Sequence, residues 1–280
     1  MKIAVASGKG GTGKTTVSVS LALVASRGTT YADCDVEEPN GHLFLRPTFD
    51  IEEIITSKKP VVDYAKCTFC GECSRVCRFH ALAVLPKSVM IFEELCHGCG
   101  GCLLACPEGA ITEKDHPVGK IEKGFAGDVP FIHGILNIGE AMATPLIHAV
   151  KDRLPDDGTV VIDAPPGTSC PVIATVSGTD VCLLVTEPTP FGLNDLGLAV
   201  EMVRMLGVPF GVVINRDGIG DSQVDEYCAA QKVPVFARIP FDRTVAEGYS
   251  RGLPLVEADP NHRQLFLDLH RRLAELAERR

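Results

Sequence analysis

The chain has 280 residues, 45% of them hydrophobic, enough to bury a core in each of two domains, so a disordered chain is excluded at the outset. The formal charge is −9, and Lys and Arg never cluster beyond Arg271-Arg272 and Arg279-Arg280, so no basic face exists to neutralise a nucleic-acid backbone. The sequence turns polar and glycine-rich straight after Ser7, too early for a signal-peptide core, and no apolar run reaches the length of a membrane span; a cytoplasmic protein is the expectation, with neither nucleic acid nor membrane as partner.

The first element, Ile3-Ala4-Val5-Ala6, predicts a buried strand, and Val17–Val24 predicts a helix. Between them Gly8-Lys9-Gly10-Gly11-Thr12-Gly13-Lys14-Thr15 satisfies G-x-x-x-x-G-K-[ST], with Thr16 directly after it. Glycines let backbone N–H groups turn inward on phosphates, and the start of a helix adds positive dipole. Lys14 is expected to contact the β- and γ-phosphates of a nucleotide, and the Thr15 hydroxyl to hold Mg²⁺. Thr30-Tyr31-Ala32 predicts a second strand that runs into Asp33-Cys34-Asp35, acidic at its C-terminal end.

The next informative segment is cysteine-rich. Of twelve cysteines, eight fall between Cys67 and Cys106, and in a reducing compartment metal ligation explains them better than disulfides. Cys67-x-x-Cys70-x-x-Cys73-x-x-x-Cys77 recurs 29 residues later as Cys96-x-x-Cys99-x-x-Cys102-x-x-x-Cys106. Paired C-x-x-C motifs also build zinc sites, but two evenly repeated runs of four favour iron–sulfur clusters. Gly71, Gly98, Gly100 and Gly101 leave room for backbone N–H groups to reach cluster sulfurs.

Beyond Cys106, the apolar runs Thr159–Ile162, Val181–Val185, Phe210–Ile214 and Val233–Phe236 are separated by helix-length segments. Continuous apolar strands alternating with helices predict a mostly parallel sheet covered on both faces. The expected organisation is an α/β nucleotide-binding domain in two parts, 1–60 and 113–280, interrupted by a small α+β domain at 61–112. Asp163 closes the strand Val160-Val161-Ile162 ahead of Ala164-Pro165-Pro166-Gly167, a position suited to Mg²⁺ but also to a helix cap. Cys170 is read as a buried cysteine. Phe266, Leu269, Leu273 and Leu276 form the apolar stripe of a last helix, expected to pack on its own sheet.

The lysine at position 9 makes the loop resemble the deviant Walker A motif of the MinD-like superfamily of P-loop ATPases, which includes the nitrogenase iron protein and the Mrp-type ATPases. The resemblance implies an ATP-bridged dimer, with itself or a related ATPase, in which Lys9 reaches the partner's nucleotide, and Mg²⁺-dependent ATP hydrolysis. By the same resemblance Asp35 polarises the attacking water, Asp163 holds Mg²⁺, and Asn215 and Pro240 face the adenine, although Asn215 is equally a turn residue before Arg216-Asp217-Gly218. The cysteine runs resemble bacterial ferredoxins, where the fourth cysteine of each run ligates the other cluster. That assigns Cys67, Cys70, Cys73 and Cys106 to one [4Fe-4S] cluster and Cys96, Cys99, Cys102 and Cys77 to a second. The sequence departs from the ferredoxin pattern at Arg78, where proline usually follows the fourth cysteine.

A P-loop ATPase containing a two-cluster domain implies coupling of nucleotide-driven movement to electron transfer, with a redox protein as partner. The alternative is an assembly ATPase that carries iron–sulfur clusters or metal to an acceptor protein, although the C-terminal C-x-x-C of Mrp-type carriers is missing here. A third reading, a positioning ATPase cycling on membranes, gives no role to clusters.

Overall fold

The computed structural model describes residues 1–25 and 28–279. Its strands are β1 (Lys2–Ala6), β2 (Thr30–Asp33), β3 (Thr48–Val62), β4 (Leu82–Leu85), β5 (Ser88–Ile91), β6 (Ile111–Ala126), β7 (Val129–Leu136), β8 (Val160–Asp163), β9 (Val181–Thr186), β10 (Phe210–Asp217) and β11 (Val235–Pro240). Nine of them form one sheet in the order β11-β10-β9-β1-β8-β2-β7-β6-β3. All pairings from β11 to β7 are parallel, while β6 runs antiparallel to both β7 and β3.

The parallel strands are short and apolar because both faces are covered. Every residue of β8 and β9 is buried. On one face Ile3, Val5, Leu183 and Val213 pack against the helix Lys14–Val24 and the last helix, His262–Glu278; on the other, Leu184, Val212 and Ile214 pack against the helix Pro190–Leu206. Phe266, Leu269 and Leu273 of the last helix are fully buried in the first of these clusters, so its apolar stripe is spent on the sheet. Among the described residues, no helix is long and apolar enough to cross a membrane.

Two features depart from the strand–helix alternation expected of the sequence. The helix after the glycine loop begins at Lys14, three residues before the predicted start, because its first turn is built from the polar loop residues themselves. The larger departure is the ribbon of β3 and β6, paired from Thr48↔Phe125 to Val62↔Ile111. Its strands carry charges on both faces, so neither the continuous apolar run of a core strand nor a clean alternation marks them. β7 accompanies β6 only along Gly119–Ala126; from Thr56 to Val62 the two strands run on alone for roughly 20 Å. Pro60 and Pro117 are tolerated because β3 is the sheet edge and β6 has left β7 behind at Pro117.

Residues 63–110 fill the far end of the ribbon. Two short helices, Glu72–Val76 and Gly101–Ala105, follow left-handed glycines (Gly71, φ 84°; Gly100, φ 70°) and end on Cys77 and Cys106 in nearly the same extended conformation. The two cysteine runs therefore fold alike. The hairpin β4–β5 backs them, with Leu82 and Val89 packed beside Cys96.

Candidate functional site: a phosphate loop and two cysteine-lined cavities

The C-terminal ends of β1, β8 and β2 meet side by side, with Val5 and Asp33 both in register with Asp163. This places the glycine loop, the Asp33–Asp35 segment and Asp163 around one point. Within the loop Gly11 (φ 81°) and Gly13 (φ 85°) adopt the left-handed backbone that glycine accepts at least cost, and a Cβ at Gly13 would stand 2.2 Å from Asn215 Nδ2. A Cβ at Gly10 or Gly11 would meet nothing within 4 Å, so the loop is open at these two positions.

Lys14 is buried at 7% exposure, its ammonium 2.6 Å from Asp163 Oδ1 and 3.8 Å from Asp35 Oδ2. Burial alone would pull its pKa down, but the two carboxylates outweigh it and the net shift is upward. Tyr31 donates its hydroxyl to Asp163 Oδ2 at 3.2 Å. Burial lifts the Asp35 carboxyl to about 6, with Lys14 opposing and Asp163 reinforcing the rise. Asp33 is also pushed up by burial and by Asp163, and its carboxylate accepts the backbone N–H groups of Asp35, Asn40 and Gly41. Asp33 thus braces the segment that carries Asp35, a role no motif announced.

Of the remaining sequence-predicted residues, Asn215 and Lys9 reach the loop's surroundings, while Pro240 is placed only next to β10, level with Asp217. Asn215 donates Nδ2 to the Thr12 carbonyl at 2.7 Å, and Pro240 sits exposed at the end of β11, beside the loop's β10 neighbour. Thr12 Oγ1 is buried without a hydrogen-bond partner, while Thr15 and Thr16 are buried in the helix's first turn. Lys9 lies 3.5 Å from Glu187, whose other oxygen accepts from Arg216 at 2.6 Å. Sequence reasoning missed Glu187, an acid that directly follows the apolar strand β9, four residues beyond Leu183, which shares the level of Asp163 across β1. An open glycine cradle, an unpartnered buried hydroxyl and a lysine whose ammonium is already held by carboxylates suit a nucleotide phosphate and its Mg²⁺. When bound, the metal supplies charge neutralisation between phosphates, with Thr15 and Asp163 as its candidate holders.

At the ribbon's end the eight clustered cysteines divide between two cavities. Cys67, Cys70, Cys73 and Cys106 line one, together with Val62, Val84 and Val89. Cys77, Cys96, Cys99 and Cys102 line the other, with Gly98, Gly100 and Gly101. Cys77 Sγ accepts the Ala81 N–H at 3.3 Å and Cys106 Sγ the Ala110 N–H at 3.2 Å, so the fourth sulfur of each run is treated alike. All twelve cysteines are free thiols. Among the described residues no three His, Cys, Asp or Glu side chains stand in the geometry of a single bound ion. A cubane iron–sulfur core takes four thiolates, with backbone N–H groups directed at its sulfurs. The donor set of each cavity, four thiols with N–H groups directed at sulfur, suits such a core. Cys170, expected to be buried, is exposed at the start of the helix Cys170–Val176, because the loop after Pro166 carries it out of the core.

The fold and the phosphate loop define a MinD-like nucleotide-binding domain of the P-loop ATPase class. The sequence matches the CobQ/CobB/MinD/ParA nucleotide binding domain over residues 3–255, and the chain belongs to that family. The backbone is similar to that of the cell division ATPase MinD of Pyrococcus furiosus (TM-score 0.56, 21% identity, 98% of each chain covered). It is also similar to Pyrococcus horikoshii MinD complexed with Mg-ADP (TM-score 0.58, 19% identity, 99% of this chain and 96% of that one). In sequence it is 32% identical over 286 residues to the uncharacterized protein MJ0578 of Methanocaldococcus jannaschii, covering 98% of this chain and 97% of the relative. An iron–sulfur cluster carrier protein of Pyrococcus horikoshii is 26% identical over 307 residues, covering 97% of this chain and 85% of the relative.

Proposed function

We propose that this chain is an ATP-hydrolysing iron–sulfur protein, with residues 63–110 as a ferredoxin-like domain holding two [4Fe-4S] clusters that nucleotide binding presents to, or withdraws from, an acceptor protein. The observation that carries the reading is the division of eight cysteines between two cavities, four to each. Cluster carriage is the favoured role, supported by the similarity over nearly the whole chain to a protein named as an iron–sulfur cluster carrier.

The connection between the two ends runs through backbone. The Val36 carbonyl, next to Asp35, accepts the N–H of Leu136 at the end of β7 at 2.8 Å, and Leu136 pairs with Gly119 of β6. There the ribbon begins its free run towards the cysteines. Asn137 reinforces the exit, its N–H donating to the Val118 carbonyl and its side chain to that of Pro117. Movement of the Asp35 segment on ATP binding would thus be transmitted to the base of the arm. Lys14 would exchange Asp163 and Asp35 for phosphate oxygens, and Lys9 would leave Glu187 for the nucleotide of a second copy or a related ATPase. Asp35 would orient the attacking water.

One observation favours electron transfer instead. Each cavity has four cysteines from this one chain, so a cluster held by all four has no open ligand position through which to leave. The two readings separate in one anaerobic experiment. Reconstituted protein is mixed with MgATP and either an apo-acceptor or an oxidised electron acceptor. Carriage predicts ATP-dependent activation of the apo-acceptor with loss of iron from this chain; electron transfer predicts ATP-dependent reduction with iron retained. Neither response changing with MgATP would refute both.

A further inference from the structure

Two lysines are buried among the described residues, Lys14 and Lys59, and their surroundings differ. Lys14 faces two carboxylates. Lys59, on β3 near the end of the ribbon, is 1% exposed, and its ammonium donates only to the carbonyls of Glu93 (2.8 Å) and Cys96 (2.9 Å). The Glu93 carboxylate turns elsewhere, to Lys114 at 2.8 Å and His116 at 3.6 Å. That carboxylate feels the Lys59 charge from a distance, but among the described residues no acid forms an ion pair with Lys59. A buried ammonium without a paired anion is costly, and native structures keep one where a counter-charge is supplied.

Its position says what that counter-charge is. Cys96 opens the second cysteine run, and the loop after it lies directly on β3, where a Cβ at Gly98 would stand 2.8 Å from the Lys58 carbonyl. Lys59 therefore sits behind the cavity lined by Cys77, Cys96, Cys99 and Cys102, and the other cavity has no buried lysine near it. A thiolate-ligated iron–sulfur cubane is an anion and becomes more negative on reduction. A fixed cation next to it favours the reduced form.

Building on the iron–sulfur reading above, we infer that Lys59 is a positioning residue and the counter-charge of the cluster held by Cys77, Cys96, Cys99 and Cys102, raising that cluster's reduction potential and not the other's. The two cysteine runs fold alike, so this lysine makes the two clusters electrically unequal.

The test is an EPR-monitored redox titration of the full chain, anaerobically reconstituted, as wild type, Lys59→Met and Lys59→Arg, with iron and sulfide measured on each. Lys59→Met is expected to lower the midpoint of one cluster by about 59 mV, a tenfold change in a one-electron equilibrium, and to leave the other in place. Lys59→Arg is expected to hold both midpoints near wild type. Should Lys59→Met lose half its iron, retention by Lys59→Arg supports the counter-charge, and equal loss in both variants overturns it. Two clusters titrating identically in wild type and Lys59→Met also overturn it. Wild-type protein without iron would instead refute the iron–sulfur reading itself.

Discussion

Lys14 concentrates the electrostatics of the phosphate loop in one side chain. Asp163 is fully buried and its nearest cation is the Lys14 ammonium, so Lys14→Ala leaves a buried carboxylate facing Asp33 and Asp35 uncompensated. Removing one partner of such a pair costs about 3 kcal/mol or more, to be read from denaturant unfolding of the nucleotide-free protein, and ATP hydrolysis should fall at least about 100-fold. Asp35 gives a pH signature of the same cluster. Its pKa is raised from 3.8 to about 6, so the folded protein binds that proton more tightly than the unfolded chain does. The stability this contributes is complete below about pH 4 and is lost as the pH rises through about 6. The thermal midpoint of the nucleotide-free protein should therefore drop across that window. Asp35→Asn should remove part of the drop, a contribution to stability of about 3 kcal/mol, with Asp33 acting in the same direction. An unchanged profile in the variant would show that Asp35 is not a buried acid.

At the scale of elements, the sequence was informative where a residue pattern has one physical cause. The parallel strands are legible because Val160–Asp163 and Val181–Thr186 are buried on both faces and must be apolar throughout. The phosphate loop is legible because its glycines are required by backbone geometry. The ribbon was hidden because it is stabilised by cross-strand pairing between solvated side chains, which leaves no hydrophobic period. Lys59 and Glu187 were hidden because burial of a single charged residue depends on what the fold brings beside it. The ribbon's base has its own weak point at Gly124, where a Cβ would stand 1.8 Å from the Thr48 carbonyl. Gly124→Val should force β3 and β6 apart and lower stability by about 2 kcal/mol, as overpacking does. Circular dichroism melting would measure this, and a variant as stable as wild type would mean that the ribbon's base tolerates separation.

The molecule as a whole joins a nucleotide-binding sheet to a cysteine-rich head by one two-stranded arm, rooted beside the segment that carries Asp35. That layout makes sense if the head holds two iron–sulfur clusters and the sheet governs when they are presented. The most direct test is the iron and acid-labile sulfide content of anaerobically reconstituted protein, measured for wild type, Cys70→Ser and Cys99→Ser. The account predicts two cubanes in wild type and one in each variant, with different clusters lost according to their EPR spectra. Zinc in place of iron, or wild-type protein without sulfide, would contradict it.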